Sequence, residues 1–361
     1  MQVNNIAKAR LVNQQISGTK FKTAKEIVGW MGAMQAQDFS MAKWALGIRL
    51  PGSTEKEIES AVSDGEIIRT HILRPTWHFV LPEDLNWMRS LSAPKSKTSL
   101  SSRDRALGLT EAIIKKSKKI IERALSKGEH LTGDELAVEL ERNKIDTGDY
   151  RAWHLFYKAE LDGIICSGVI KNGKPTFALL HERVLVENKL KREEALGLLA
   201  KKYFLSHGPA TLQDFAWWSG LNLGDSRAAL EAVKSGLFSE VINKQTYWFT
   251  NSLMLPKHGD DAVYLLPAFD EFIISYKDRT ATFPFGKQKK AISNNGIFKP
   301  VIVIGGEVLG IWKRLIKGNN AFAEAEYFRP VLKKEEKQIN NAFNHLQKFL
   351  NKNLIVKGGQ Q

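Results

Sequence analysis

A short pattern that starts a helix occurs three times along the sequence. It lies at residues 22–28, 131–137 and 210–216, and in each copy a threonine is followed three residues later by an acid. In the first two copies, threonine with its answering glutamate predicts a capping box, in which each side chain bonds the backbone N–H of the other residue. In the third copy Asp214 is a shorter substitute that still favours the positive end of the helix. Three start signals of one kind indicate three copies of one helical unit.

A helix stop and two strand-like runs follow each start signal. Gly65, Gly163 and Gly236 come after helical patterns and are typical of the residue that ends a helix. In the second copy, Asn172-Gly173 is a strong hairpin turn signal between two apolar runs. The strand-like runs of the second and third copies lie at residues 164–170, 176–180, 237–242 and 246–250.

Helices followed by a two-stranded hairpin form a winged helix, which is a helix-turn-helix with a β wing. The sequence therefore predicts an α+β protein with three tandem winged helices, at residues 1–95, 96–188 and 189–258. Accidental repetition is the alternative, because threonine caps are common. The recurrence of cap, glycine and hairpin in the same order three times argues against it.

The C-terminal part of the sequence has a different character. It predicts a β-rich domain at residues 259–361, for which a partial barrel is one candidate architecture. Gly305-Gly306 predicts a tight turn between two apolar runs. Residues 333–350 predict an amphipathic closing helix. The predicted strands lie at residues 262–266, 272–274, 301–304, 308–312 and 322–328.

The charge of the chain favours a polyanionic partner, nucleic acid above all. The formal net charge is +14 and the pI is near 9.6. The basic residues are spread through the chain, which favours a folded surface or groove over a disordered basic arm.

Composition also disfavours several classes of protein. The single cysteine, Cys166, excludes an intrachain disulfide and any cysteine-clustered metal site. No apolar run reaches the roughly 18 residues of a transmembrane helix, and the first residues lack the features of a signal peptide. We therefore expect a cytoplasmic protein that does not associate with a membrane.

Two carboxamides stand two residues apart in Gln35-Ala36-Gln37, between two helical runs. Side chains at i and i+2 point to opposite sides of a helix but to the same side of an extended segment, so joint action requires the chain to leave the helix here. Two neutral amides that face one way can hold a water or the edge of a base. One alternative is a polar interhelical turn without a functional role, and another is that both glutamines merely cap helix ends.

The first predicted hairpin carries a run of polar groups that are suited to phosphates and bases. They are Arg69, His71, Arg74 and His78. The alternative is an ordinary strand pair that buries Ile72, Trp77 and Phe79 and leaves the polar alternates outside. The two interpretations are compatible, and both stay open.

The C-terminal part offers further charged candidates. Lys277, Arg279, Lys313 and Arg314 are expected to contact the nucleic-acid backbone if they face the groove. The acids Asp270, Glu271 and Asp278 lie near Lys277 and Arg279 in the sequence, and this pattern favours a surface ion-pair cluster over a site. The sequence contains no phosphate-binding loop, zinc helix or nucleophile elbow, so we predict no cofactor and no metal.

Six segments resemble the AlkZ-like winged-helix DNA glycosylases, and the similarity extends from about Ala7 to Arg329. The run Arg-Thr-His-Ile-Leu-Arg-Pro-Thr-Trp-His-Phe-Val is the most distinctive of them. The segments lie at residues 35–38, 69–80, 207–211, 214–220, 266–270 and 276–279.

The resemblance implies tandem winged helices in a C-shaped arrangement, excision of alkylated purines and unhooking of DNA interstrand crosslinks. The family signature is Gln, a small or apolar residue, then Gln or Asp. Both polar positions are Gln here, as in the azinomycin-resistance branch, so Gln35 and Gln37 take the catalytic assignment. We expect both side chains to reach solvent on a concave face. The implied partner is damaged or crosslinked duplex DNA, bound by a monomer without an obligate protein partner.

Neutral glutamines are compatible with this chemistry. A purine alkylated on a ring nitrogen is cationic and departs as a good neutral leaving group, so little general acid catalysis is required. The transition state resembles an oxocarbenium ion, and two amide oxygens could orient a water and stabilise the developing positive charge. Crosslinked bases cannot flip freely into a deep pocket, so an open site suits them better.

A non-enzymatic winged-helix DNA-binding protein, such as a transcription regulator, is the main alternative. Three winged helices and a basic surface support it equally well. An RNA-binding or processing factor is a third class. The two glutamines distinguish the classes, because a regulator needs at most affinity from them, whereas an enzyme needs turnover.

Overall fold

The computed structural model describes residues 3–186, 188–250, 262–283 and 286–357. The predicted boundary between the third winged helix and the C-terminal domain, at residues 258 and 259, lies outside these ranges. In chain order, helices α1 to α15 span Val3–Asn13, Ala24–Met31, Phe39–Gly47, Glu55–Ser63, Pro82–Ala106, Glu111–Ala124, Gly133–Arg142, Arg151–Leu161, Leu180–Arg183, Arg192–His207, Leu212–Ser219, Leu223–Glu231, Glu271–Ile274, Gln288–Ala291 and Lys333–Leu350. Strands β1 to β13 span Ala33–Gln35, Ile68–Ile72, Thr76–Val80, Leu131–Thr132, Ile165–Lys171, Lys174–Leu179, Phe238–Ile242, Gln245–Phe249, Val263–Leu266, Val301–Ile304, Glu307–Lys317, Asn320–Tyr327 and Asn353–Lys357. This mixture confirms the predicted α+β class.

The three predicted helix starts are confirmed, because α2, α7 and α11 each begin with a reciprocal capping box. At α11 the Thr211 hydroxyl accepts the N–H of Asp214 at 3.1 Å, and the Asp214 carboxylate accepts the N–H of Thr211 at 3.0 Å. The shorter acid therefore completes the same box as the two glutamates.

The predicted hairpins are also found. Strands β2–β3, β5–β6 and β7–β8 pair in antiparallel fashion. Asn172 and Gly173 both have positive φ, as the predicted tight hairpin turn requires. The repeated elements thus occur in the expected order, and their assembly into tandem winged helices stays a prediction.

The chain divides into two compact units. Unit 1 contains Met1–Ile58 and Leu196–Gln361, and unit 2 contains Glu59–Ala195. The predicted division into four domains is a finer one and stays a prediction.

Helix α3, which follows Gln37, is attached to the five-stranded sheet of unit 1. Strands β9 to β13 form this sheet in the order β13-β12-β11-β10-β9, with a parallel pair only at β12–β13. On α3, Trp44 donates its indole N–H to the carbonyl of Leu265 in β9 at 2.6 Å. Its ring also packs on Phe349 of α15, with 5.0 Å between centroids. Helix α3 is thereby fixed to both β9 and α15.

Two C-terminal elements differ from the prediction. Residues 272–274, predicted as a strand, form helix α13, because the buried Asp270 caps it by accepting the N–H of Phe272 at 2.9 Å. Strand β13 was not predicted, since its pairing with β12 depends on contacts remote in sequence. A short apolar run cannot be assigned to helix or strand from its periodicity alone. The closing helix α15 confirms the prediction, and it buries Ile339, Phe343 and Leu346.

Unit 2 has a conventional apolar core. Leu136 and Leu140 of α7 pack in one buried cluster with Leu155 and Phe156 of α8. Strands β4, β6 and β5 form a three-stranded sheet in that order, and β2 and β3 form a separate hairpin. The interior of unit 2 is therefore stabilised mainly by burial of aliphatic and aromatic side chains.

Candidate active site

The Gln35-Ala36-Gln37 segment leaves strand β1 and forms a turn before α3. The Gln35 side-chain oxygen accepts the backbone N–H of Gln37 at 3.1 Å. Gln35 is only 5% exposed, whereas Gln37 is an exposed residue. The expectation that both side chains reach solvent is therefore wrong for Gln35, because its amide is turned inward to close this turn.

The cap of α3 is neither glutamine. Asp38 is the N-cap, and its carboxylate accepts the N–H of Met41 at 3.0 Å. Gly32, at φ 79°, ends the preceding helix α2. The alternative in which both glutamines cap helix ends is therefore wrong, although Gln35 does close a polar turn.

A buried carboxylate lies behind Gln35. Glu271 Oε1 accepts the backbone N–H of Gln35 at 2.5 Å. Glu271 Oε2 accepts the indole N–H of Trp218 at 3.2 Å and the hydroxyl of Ser275. The His207 Nε2 atom lies 3.6 Å from the same oxygen. Strand β1 is thus joined to α10, α11 and α13 through one side chain.

The predicted surface ion-pair cluster at Asp270 and Glu271 is wrong. Both residues are only 2% exposed. Asp270 makes a bidentate pair with the buried Arg49, with N–O distances of 2.8 and 2.9 Å. Sequence neighbours suggested Lys277 and Arg279 as partners, but the partner cation lies far away in the chain.

The remaining donors of Arg49 hold the start of the chain. They bond the carbonyls of Gln14 and Ala45 and the side-chain oxygen of Gln14, at 2.9, 2.8 and 3.1 Å. Gln14 donates its amide to the Tyr276 hydroxyl at 2.9 Å, and that hydroxyl donates to the carbonyl of His207 at 2.7 Å. The polar interior of unit 1 is therefore a connected network.

A second buried ion pair extends this network. The Arg10 guanidinium lies 3.6 Å from the Asp214 carboxylate and 3.5 Å above the ring of Tyr276. Asp214 also accepts the backbone N–H of Lys277 at 2.8 Å. The residue that closes the third capping box therefore also fixes the loop after α13.

Burial sets the protonation of the groups nearest Glu271. Burial lowers the pKa of the His207 imidazole, although the adjacent Glu271 acts in the opposite direction. Burial raises the pKa of the Tyr203 and Tyr276 hydroxyls. These side chains are consequently neutral near pH 7, and the phenols act as hydrogen-bonding groups.

The two predicted DNA-contact residues that follow α13 have different environments. Lys277 is exposed. Arg279 is buried, donates its Nε–H to the carbonyl of Ile273 at 2.9 Å and lies over the rings of Trp217 and Phe298. The lysine presents its charge to solvent, while the arginine packs inside the unit, and contact of either with DNA stays a prediction.

The pair on β11 shows the same contrast. Lys313 is exposed and pairs with Glu324 at 2.7 Å. Arg314 is half-buried and donates to the carbonyl and hydroxyl of Ser40 at 2.9 and 2.8 Å. Arg314 therefore holds the first turn of α3, close in sequence to Gln37, and the DNA contacts of both residues stay predictions.

In unit 2, His71 of the wing is a packed side chain. Its Nδ1 contacts the carboxylate of Glu160 on α8, which also accepts the Trp77 indole N–H at 3.3 Å. The His71 ring lies between those of Trp77 and Tyr157, with centroids 4.2 and 4.1 Å away. The wing is thus attached to α8 by a buried pair and by tilted ring contacts.

The other wing candidates range from half-buried to fully buried. The Arg69 guanidinium lies 4.4 Å above the Trp77 ring, and Arg74 is half-buried. His78 is fully buried, with Nδ1 2.9 Å from the carbonyl of Thr76. Ile72 and Phe79 are buried as the strand-pair interpretation expects, but His71 and His78 are not outside as it also expects.

Two negative findings concern the described ranges only. Within them, no group of three His, Cys, Asp or Glu side chains is arranged to hold a metal ion. No helix within those ranges has both the length and the apolar character needed to cross a membrane.

Taken with this site, the comparisons define the class of the protein. The family model described as "DNA glycosylase AlkZ-like" matches residues 28–349. The chain therefore belongs to the AlkZ-like DNA glycosylases and is an enzyme of that class, which confirms the resemblance seen in its motifs.

The chain is similar to a protein and to a solved structure from Streptomyces sahachiroi. The "Interstrand DNA cross-link repair glycosylase" is 24% identical over 322 residues, and the match covers 84% of this chain and 85% of the relative. The solved structure of DNA glycosylase AlkZ has a TM-score of 0.78 and 20% identity and covers 99% of both chains. This likeness shows that the two chains share a fold.

Sequence reasoning missed the residues that support Gln35. No local pattern assigns Glu271, Asp270 or Arg49 a role in the site, because the Glu271–Gln35 and Asp270–Arg49 contacts each join residues more than 200 positions apart in the chain. One signal was available: several segments that carry the family resemblance, including 207–211 and 266–270, contain polar residues that become buried in unit 1.

Proposed function

We propose that this protein hydrolyses the N-glycosidic bond of cationic alkylated purines in DNA, including purines joined in interstrand crosslinks. The observation that carries the proposal is the turn at Gln35 and Gln37, which brings an amide oxygen and an exposed carboxamide to the end of β1. Membership of the DNA glycosylase family supports the reaction class.

The two glutamines would have unequal roles. An amide oxygen has two lone pairs, and one pair of Gln35 Oε1 is already used by the N–H of Gln37. The second pair remains for a water, held at a fixed point by the turn. The exposed Gln37 amide would reach the same water or the sugar, so that the pair positions the nucleophile.

The reaction needs no strong acid. Water attacks the anomeric carbon as the bond to the base nitrogen breaks, and the bonding electrons leave with the base and cancel its positive charge. The proton of the attacking water passes to solvent. Amide dipoles can stabilise the sugar cation that develops in between, whereas a neutral, undamaged purine remains a poor leaving group.

Affinity for DNA would come from the basic surface. The net charge is +14, and exposed cations such as Lys277 would contact phosphates, as would Lys313 in exchange for its pair with Glu324. Binding by phosphate contacts releases counterions, so affinity should fall steeply as salt is raised. A flat salt response would contradict this part of the proposal.

The decisive experiment incubates the protein with three matched duplexes: undamaged, carrying N7-methylguanine, and crosslinked through the N7 atoms of two guanines. Abasic sites, revealed by strand scission in alkali, should appear in the second, and unhooked strands in the third. The undamaged duplex should stay intact. Binding to all three without product would overturn the proposal and favour a non-enzymatic DNA-binding protein.

A further inference from the structure

We infer that Glu271 is a positioning residue of the active site, which fixes the glutamine turn from behind through the backbone of Gln35. This inference rests on the proposed function and goes beyond the two glutamines. It assigns a catalytic consequence to a buried carboxylate that would not touch DNA.

The contact acts on the backbone and not on the glutamine side chain. The Gln35 N–H is 2.5 Å from Glu271 Oε1, which fixes the orientation of the peptide plane at the end of β1. The other end of the residue is also held, because Gln35 Oε1 accepts the N–H of Gln37 at 3.1 Å. Because the backbone N–H and the side-chain oxygen of Gln35 are both held, the direction of the second lone pair on that oxygen is fixed.

The carboxylate is itself held firmly. Its second oxygen accepts the Trp218 indole N–H at 3.2 Å and the Ser275 hydroxyl, and His207 Nε2 lies 3.6 Å away. Trp218 belongs to α11, and Glu271 is the first residue of α13. A group supported by two helices can set the position of a strand end, whereas a flexible surface acid cannot.

A glutamine at position 271 could not reproduce these contacts. Both carboxylate oxygens of Glu271 accept hydrogen bonds, one from the Gln35 N–H and one from the Trp218 N–H. A carboxamide has one accepting oxygen and one donating NH2 group, so either orientation points a donor at a donor. Glu271→Gln therefore keeps the volume and loses the match, which makes it the informative substitution.

The test compares Glu271→Gln with Glu335→Gln. Glu335 is another buried carboxylate of unit 1, and it bonds Arg329 at 2.7 and 2.8 Å and the N–H of Leu332 at 2.9 Å. Three quantities are measured on each variant: the single-turnover excision rate at saturating N7-methylguanine DNA, the Kd for DNA and the melting temperature.

We expect Glu271→Gln to lower the single-turnover rate by about 10- to 100-fold, because a misplacement near 1 Å can cost about 100-fold. The Kd should stay within about twofold, since the basic surface supplies affinity. Glu335→Gln should lower the melting temperature and keep the wild-type rate. A wild-type rate in Glu271→Gln would overturn the inference, as would an equal rate loss in both variants.

A measurement on the wild-type protein covers the case in which Glu271→Gln does not fold. Labelling with carbonyl-13C methionine and 15N glutamine selects Met-Gln pairs, which occur at residues 1–2 and 34–35. A strong bond to a carboxylate should move the Gln35 amide proton downfield and slow its exchange with solvent. An ordinary shift with fast exchange would overturn the inference.

These outcomes also separate the inference from the proposed function. If wild-type protein excises no alkylated base, the proposed function fails, whereas the amide measurement still reports whether Glu271 holds Gln35. If wild-type protein is active and Glu271→Gln is equally active, the function stands and the positioning role fails.

Discussion

Both compact units bury a glutamate against a histidine and a tryptophan indole. In unit 2, Glu160 contacts His71 and Trp77, which are side chains of the β2–β3 hairpin. The corresponding residues of unit 1 are Glu271, His207 and Trp218. The difference is the additional bond from Glu271 to the backbone of Gln35.

The comparison shows that two similar buried glutamate–histidine pairs can have different structural roles. Glu160 joins a hairpin to a helix, and its described partners are side chains. Glu271 joins several helices to the strand end that carries the glutamine turn. Removal of the first should loosen a wing, whereas removal of the second should also misplace the groups that hold a water.

The largest expected effect comes from breaking the ion pair of unit 1. Arg49→Met leaves the Asp270 carboxylate buried beside an apolar side chain. We expect the free energy of unfolding to fall by about 3–5 kcal/mol. Chemical denaturation followed by tryptophan fluorescence measures this change.

The matched substitution in unit 2 is Leu155→Ala, in the apolar cluster on α8. It should destabilise by a similar amount, about 2–5 kcal/mol, through lost burial and a cavity. Below its melting temperature, Leu155→Ala should keep the wild-type excision rate, whereas Arg49→Met should have a lower excision rate. Wild-type stability of Arg49→Met would show that the pair is dispensable.

Next in size are the glutamines themselves. Gln35→Ala and Gln37→Ala should each remove about 2–4 kcal/mol of transition-state stabilisation, by analogy with the loss of one oriented polar group. Single-turnover excision of N7-methylguanine measures the loss, and DNA affinity should change little. Gln37→Asp should remain active, because a carboxylate can also orient water.

The two alanine variants should differ in stability, because Gln35 is buried and Gln37 is exposed. Gln35→Ala should also lower the melting temperature, because it removes the acceptor of a part-buried hydrogen bond from the Gln37 N–H. Gln37→Ala should melt close to wild type, since its side chain is exposed. If both variants lose only stability and keep the rate, the catalytic assignment is wrong.

A smaller effect is expected at Glu160, the unit 2 counterpart of Glu271. Glu160→Gln weakens the charged contacts to His71 and Trp77 and should cost about 1.5–3 kcal/mol of stability. We expect the single-turnover rate at saturating DNA to stay unchanged, because this carboxylate does not bond Gln35. A rate loss as large as that of Glu271→Gln would remove the distinction between the two pairs.

The smallest expected effect is on pH dependence. Burial lowers the pKa of His207 in unit 1 and of the half-buried His130 in unit 2, where Arg183 and Lys171 act in the same direction. A histidine kept neutral in the folded state contributes its full stability above the unfolded pKa of about 6.5. That stability is lost as pH falls toward the folded pKa, by at most about 1.4 kcal/mol per pH unit.

His207→Gln should therefore flatten the fall in stability between about pH 6.5 and 5, and His130→Gln should do so less, since it is less buried. Melting temperatures at pH 7.5 and 5.5 give the two slopes. Unchanged slopes in both variants would mean that neither imidazole is kept neutral by folding.

Local signals in the sequence predicted the local structure well. The three threonine caps, the Asn172-Gly173 turn and the closing helix all depend on residues a few positions apart. The spacing of Gln35 and Gln37 predicts a break between helices if the two side chains act together. The chain does leave the helix between α2 and α3, although one of these side chains is buried and the other is exposed.

The support of the site could not be predicted in the same way. Asp270 and Glu271 have the composition of a surface cluster, and the cation that neutralises Asp270 is 221 residues away. The burial of Gln35 likewise follows from a partner that no local pattern identifies. Charged residues are rarely fully buried, so a sequence-based prediction places them outside unless a partner is known.

The distance between Gln35 and Glu271 along the chain, 236 residues, has a consequence for synthesis on the ribosome. At about 5–20 residues per second, the glutamines emerge roughly 10–50 s before the carboxylate that holds them. All of unit 2 is synthesised in that interval. A chain released just before Glu271 would carry the three predicted capping boxes and both glutamines, and its strand end would still lack the carboxylate that bonds the Gln35 N–H.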